Sequence, residues 1–64
     1  MKGNVKFFNT EKRFGFIHCD EDGKDYFVHI SQVENEAPLA ENDEVEFEGS
    51  EGDRGPVANN VKKL

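Results

Sequence analysis

Two short motifs carry the residues with something to offer a ligand: Lys12-Arg13-Phe14-Gly15-Phe16-Ile17 and Asp25-Tyr26-Phe27-Val28-His29. On an extended chain successive side chains point to opposite faces. Phe14, Phe16 and His18 then share one face of one strand, Phe27 and His29 share a face of another, and Ile17 and Val28 fall on the reverse. Phenylalanine supplies no acid, base or nucleophile, but an exposed ring can stack on another flat ring. Nucleobases are such partners, at roughly 1–3 kcal/mol per base whatever the sequence. Lys6, Lys12 and Arg54 can meet phosphates, and the Asp25 carboxylate can either cap a turn or accept hydrogen bonds from exocyclic base amines.

Other chemistries fit less well. There is no nucleotide-binding loop and no nucleophile–base arrangement, and so short a chain has no apolar pocket to shift a carboxylate pKa; a non-enzymatic protein is expected. His18, Cys19 and His29 lack a C-x-x-C and a fourth ligand, and alternation turns Cys19 away from His18, so neither metal nor cofactor is expected. Cys19, the single cysteine, excludes an intrachain disulfide. With no signal peptide or long apolar run, this points to a reducing, cytoplasmic setting without membrane contact.

The elements that must position these residues are strands. β-branched and aromatic runs alternate with turn clusters, and no stretch has a helical period. Strands are expected over Lys2 to Asn9, Phe14 to Cys19, Tyr26 to Ile30, Glu44 to Gly49 and Val57 to Leu64. Thr10-Glu11-Lys12-Arg13 and Asp20-Glu21-Asp22-Gly23 read as turns, Asp-Gly being a hairpin signal. Ser31 to Asp43 is a longer connection with room for a 3₁₀ turn. This pattern predicts an all-β fold, a five-stranded antiparallel Greek-key barrel of the oligonucleotide-binding (OB) type. Its core would hold Val5, Ile17, Val28, Val33, Leu39, Val45, Phe47 and Val61. Val57, Asn59 and Val61 occupy alternating positions of the last strand. Phe7 is expected on the ring face, a β-bulge being the device that can turn it inward.

At 64 residues the chain makes one domain, residues 1–64, too small for a deep cleft or a small-molecule substrate, and it is expected to be a monomer. Its net charge of −6 is unevenly spread: residues 1–19 hold Lys2, Lys6, Lys12 and Arg13 against Glu11, whereas residues 30–53 hold nine acids and no base. The aromatic half is basic, and the acidic middle reads as a solvated face that keeps a polyanion on the other side.

These residues resemble the cold-shock domain, from Gly3-Asn4-Val5-Lys6-Phe7-Phe8-Asn9 through the two aromatic motifs to Arg54-Gly55-Pro56-Val57-Ala58-Asn59-Asn60-Val61. The resemblance implies an OB barrel that binds single-stranded RNA and DNA, acting as an RNA chaperone and a modulator of transcription or translation, with a link to cold adaptation. Carried over by position, it implies contact roles for Lys6, Phe7, Lys12, Phe14, Phe16, Asp25, Phe27, His29 and Arg54, with Phe8 semi-buried. Phe7 stands where the family typically has tryptophan, and Arg13 replaces the usual glycine, adding a charge beside the rings and stiffening the turn. Ile30 stands where many bacterial members have another aromatic, and the Ser31–Leu39 loop is shorter and lacks a phenylalanine. Fewer base subsites are therefore expected than in a bacterial member. The rival reading is a protein-interaction barrel whose aromatic face binds a peptide.

Overall fold

Each alternating run of the sequence is a strand in the computed structural model, which describes residues 1–53 and 55–64. The strands are β1 (Lys2–Asn9), β2 (Phe14–Cys19), β3 (Asp25–His29), β4 (Glu44–Gly52) and β5 (Gly55–Lys63). They close into a barrel in the order β1-β2-β3-β5-β4, with β4 returning to β1. The pairings are antiparallel except that of β3 with β5, which is parallel through Phe27 and Val57. The expectation of a wholly antiparallel barrel is thus corrected, for a geometric reason. Strand directions cannot alternate all the way round a closed ring with an odd number of members, so one neighbouring pair must run the same way.

The barrel interior holds Val5, Ile17, Val28, Val33, Leu39, Val45, Phe47 and Val61, as alternation predicts, together with Cys19, Tyr26 and Ala58. Tyr26 lies inward beside Val28, with its ring centroid 5.1 Å from that of Phe47. Its hydroxyl escapes burial without a partner by donating to the Asp22 carboxylate in the β2–β3 turn. Two 3₁₀ turns, Ile30–Gln32 and Glu34–Glu36, open the long connection. A parallel bridge from Val33 to Val61 pins that connection to β5.

Two bulges break the alternation. In β1 the register slips between Val5 and Phe7, so that Lys6 and Phe7 both face outward while Val5 stays in the core. The bulge therefore turns Phe7 out, onto the ring face expected for it, rather than inward. In β5, Asn60 adopts φ 51° beside a register slip between Glu46 and Glu48 of β4. Asparagine tolerates this left-handed conformation better than most residues, and its side-chain amide donates to Glu48 Oε2 at 2.7 Å. The consequence is that Ala58 and Val61 share the core while Val57 is only half-buried. The expected grouping of Val57 with Val61 on one face is corrected accordingly.

The β1–β2 turn is organised by Asn9, whose side-chain oxygen accepts from the Glu11 and Lys12 N–H groups at 3.0 Å each. Arg13 closes it at φ 62°, a left-handed conformation that disfavours a Cβ. Left-handed backbone costs a non-glycine residue about 1–2 kcal/mol, and glycine's extra unfolded-state entropy offsets about 0.5–1 kcal/mol of any gain. Arg13→Gly is accordingly expected to raise the unfolding free energy by up to about 1 kcal/mol, read as a higher urea midpoint at unchanged m. A lower midpoint would show that the arginine side chain compensates for the strain.

The Tyr26–Asp22 contact has a titration signature. The accepting carboxylate first, and burial second, push the phenol from 10.0 up to about 12. The same hydrogen bond, helped by the Lys24 N–H, holds Asp22 below its usual range. The sign follows: the Asp22 contribution to stability is present above the ordinary carboxylate pKa and lost as pH falls through the lowered value, whereas that of Tyr26 is present below 10.0 and lost as pH rises toward about 12. Spectrophotometric titration should give a phenolate midpoint near 12, and Asp22→Asn should bring it back toward 10.0. An unmoved midpoint in the variant would mean that burial alone raises it.

Candidate nucleic-acid interface

Strand register sets the site out as a small lattice on the outer face of β1–β2–β3. Phe7, Phe16 and Phe27 lie in register across the three strands. The next row is Asn9, Phe14 and His29, and on the other side His18 lies opposite Asp25. Gly15 makes the rows possible. A Cβ there would lie 2.3 Å from the Phe7 carbonyl oxygen, so only glycine lets β1 approach closely between the two β2 rings.

Phe7, Phe14, Phe16 and Phe27 form one contiguous patch with ring centroids 5.6–6.4 Å apart. Phe14 and Phe27 are nearly parallel at 24°, while Phe16 meets both of them edge-on. These contacts leave Phe14 and Phe16 half-buried, and Phe7 and Phe27 are the more open rings at 42% and 36% exposure. Phe8, next in the chain, packs against the core as expected of a semi-buried residue.

An open groove of about 610 Å³ runs beside the patch, bordered by Lys12, Phe14, Phe16, Asp25, Phe27 and His29 on one side and Gly55-Pro56-Val57 on the other. Six of the nine sequence-derived contact residues therefore border one groove. Lys6 and Phe7 sit at its β1 side, exposed. Arg54 lies outside the described residues. Pro56 and Val57 were not among the expected contacts. For Val57 the reason is the parity reset at Asn60, which is invisible to strict alternation.

The polar groups are oriented by their neighbours. His29 caps the first 3₁₀ turn: its Nδ1 accepts from the Ser31 N–H at 3.1 Å, with the Ser31 hydroxyl 2.9 Å away. Asp25 is engaged at both oxygens. His18 Nδ1 lies 2.9 Å from Oδ1 and Lys6 Nζ 3.0 Å from Oδ2. The imidazole first and the ammonium second hold the Asp25 carboxyl below its usual range. Asp25, for which the sequence left open a turn cap or an acceptor for base amines, is a carboxylate bridged by two cationic or potentially cationic groups.

Charge is sorted around the barrel. Glu44, Glu46 and Glu48 point outward from β4, which neighbours β1 and β5 but not β2 or β3. Glu46 sits in register between Lys2 and Lys62, and Asp43 pairs with Lys63 at 3.4 Å. No cluster of three or more potential metal ligands, and no helix long and apolar enough to cross a membrane, occurs among the described residues.

The comparisons with known proteins identify the family. Residues 1–64 match the model of the 'cold-shock' DNA-binding domain. The chain belongs to the cold-shock domain family. It is 53% identical over 66 residues to cold shock protein CspD of Bacillus subtilis, covering 100% of this chain and 98% of that protein. It is 55% identical over 64 residues to cold shock-like protein CspLB of Listeria monocytogenes, covering 97% and 96%. With cold shock-like protein CspE of Buchnera aphidicola it shares 50% over 66 residues, covering 100% and 96%. Family membership makes it one of the nucleic-acid-binding cold-shock proteins, and the barrel agrees with the OB architecture expected from the sequence.

The burial pattern separates core from platform, and the separation is measurable. Phe47, 2% exposed, fills the barrel, and Phe47→Ala should cost about 3–5 kcal/mol. Phe27→Ala removes an exposed ring with two aromatic neighbours and should cost no more than about 1.5 kcal/mol. Equal losses in urea unfolding would mean that Phe27 supports the fold rather than a ligand.

Proposed function

We propose that the face of β1–β3 binds single-stranded RNA or DNA by stacking bases on Phe7, Phe14, Phe16 and Phe27. The observation that carries this reading is a contiguous four-ring patch left outside a core that is complete without it. Lys12 borders the groove as a phosphate contact, with Lys6 at its β1 side. His29 and Asp25 supply hydrogen-bonding groups at opposite ends of the face. Arg54 remains a candidate for a further phosphate on its charge alone.

Four rings would contribute roughly 4–12 kcal/mol gross. Lost translational freedom and strand ordering take back several kcal/mol or more. The expected affinity is around micromolar, with little base preference beyond pyrimidine richness. Binding of this strength and tolerance suits an RNA chaperone. It traps unpaired RNA, disfavours misfolded hairpins and releases without ATP. Modulation of transcription or translation in the cytoplasm, with a part in cold adaptation, follows from the same activity. The protein acts as a monomer and does no catalysis.

The test is titration with a short oligothymidine. Phe16→Ala and Phe27→Ala should each weaken binding by about 1–3 kcal/mol while remaining folded. A duplex of the same length should bind far more weakly, because its bases already stack on each other. With about two to four phosphates met, log K should fall against log salt at roughly −1.5 to −3. Equal affinity for duplex and single strand, or a slope steeper than about −5, would replace stacking with phosphate contact. Ring signals of Phe14, Phe16 and Phe27 that ignore the oligonucleotide would point instead to a peptide on this face.

A further inference from the structure

Lys6, Asp25 and His18 form a bridged triad at the end of the ring face away from Lys12 and His29. Its hydrogen-bonding roles are fixed by its middle member. The carboxylate is ionised at neutral pH and can only accept, so the His18 Nδ1 facing it must carry a proton. Nε2, the other ring nitrogen, is therefore the site at which His18 gains charge. Neutral His18 leaves a triad of one cation and one anion, with no net charge to offer a polyanion. Protonated His18 gives it a net charge of +1, beside Phe16 on the same strand face.

We propose that His18 is a further nucleic-acid contact, a phosphate-binding group that the triad switches on by protonation, so that affinity for single strands rises as pH falls. The inference rests on the stacking function proposed above. Within the triad, Asp25 is a positioning residue that holds the imidazole on the ligand face, and its negative charge keeps Lys6 from making the site permanently cationic. Charged groups also stand on the neighbouring elements, Asp20 and Lys24 between β2 and β3 among them. From β1, Lys6 reaches Asp25, and the residue opposite His18 is the uncharged Asn4. From β3 the facing charge is Asp25. In the β2–β3 turn, Glu21 accepts from the Lys2 N–H, and Asp22 accepts from Tyr26 and from the Lys24 N–H. His18 is itself about half exposed, its side chain retaining 48% of its surface, so its charge is open to a phosphate and screened by salt as an exposed ion pair is.

The second histidine is an internal control. His29 also faces the ligand, but its Nδ1 is the acceptor for the Ser31 N–H, so a proton there would cost that bond rather than simply add charge.

Oligothymidine binding at about pH 8 and about pH 5.5 tests the proposal over the range in which imidazoles change charge, and thymine itself takes up no proton there. The wild-type protein should bind about two- to fivefold more tightly at the lower pH, with a salt slope steeper by about 0.7. His18→Gln should abolish both changes, whereas His29→Gln should weaken binding at both pH values and keep the ratio between them and the change of slope. A proton NMR titration of the His18 ring supplies a second readout, since binding that prefers protonated His18 must raise its midpoint in the complex. An unchanged slope in the wild type, a response that survives His18→Gln, or a His18 midpoint that ignores the oligonucleotide overturns the proposal while leaving the stacking function standing. Failure of oligothymidine to bind at either pH overturns the stacking function and this inference with it.

Discussion

A closed ring of five short strands encloses one interior, and alternation along each strand decides which side chains enter it. Among the described residues eleven hydrophobic side chains fill the interior, Phe47 being the one phenylalanine in that set. Phe8 caps that core from the rim. The remaining four phenylalanines have no second element to cover them, and all four fall on β1, β2 and β3. The same two-residue period that drives Val5, Ile17 and Val28 inward drives Phe16 and Phe27 outward, so core and platform are two faces of one constraint. The β1 bulge completes it. Without the slip at Lys6, Phe7 would share the parity of Val5 and be directed into an interior with no room for it.

Most of this was legible in the sequence because alternation is legible. All eight core residues expected from parity are buried, and the Phe14–Phe16 and Phe27–His29 pairs share one outer face. What was not legible depends on events that alternation does not encode. A bulge adds a residue to one strand without changing composition, which is why the sequence does not show that the β1 slip is what turns Phe7 outward, or that Val57 and Val61 differ in parity. Tyr26 shares Val28's parity and was not among the expected core residues; it is buried, and its hydroxyl needs a partner. That partner, Asp22, is supplied by a turn four residues back in the chain. The parallel β3–β5 pair follows from closure, a property of the whole ring and of no single segment.

Polar roles were the least legible, because they depend on which charges meet across strands. Lys6 and Asp25 are nineteen positions apart and His18 is seven from Asp25, so the sequence offers each as an independent contact. Strand register makes them one unit. The acidic run behaves differently. Its outward glutamates on β4 are separated from β2 and β3 by whole strands, and lysines of β1 and β5 flank Glu46. A net charge of −6 therefore coexists with a groove bordered by Lys12 and by a carboxylate, Asp25, that is bridged to Lys6.

The connection from Ser31 to Asp43 carries no ring to the outer edge of the face. Its apolar residues are spent on the barrel: Val33 and Leu39 are each 4% exposed, and Ala37 packs against the core. Its end is tied to β1 by reciprocal hydrogen bonds, Val5 N–H to Asp43 O at 2.9 Å and Asn42 N–H to Val5 O at 2.8 Å. Ile30, half-buried, gives its N–H to the Arg13 carbonyl and so braces the β1–β2 turn. A loop that short, with both ends and its middle committed to packing, has no ring left to project over the ligand. The far wall of the groove is made instead by Gly55-Pro56-Val57, backbone and small apolar side chains on the strand that must run parallel to β3. Ring closure thus supplies the edge that the loop does not.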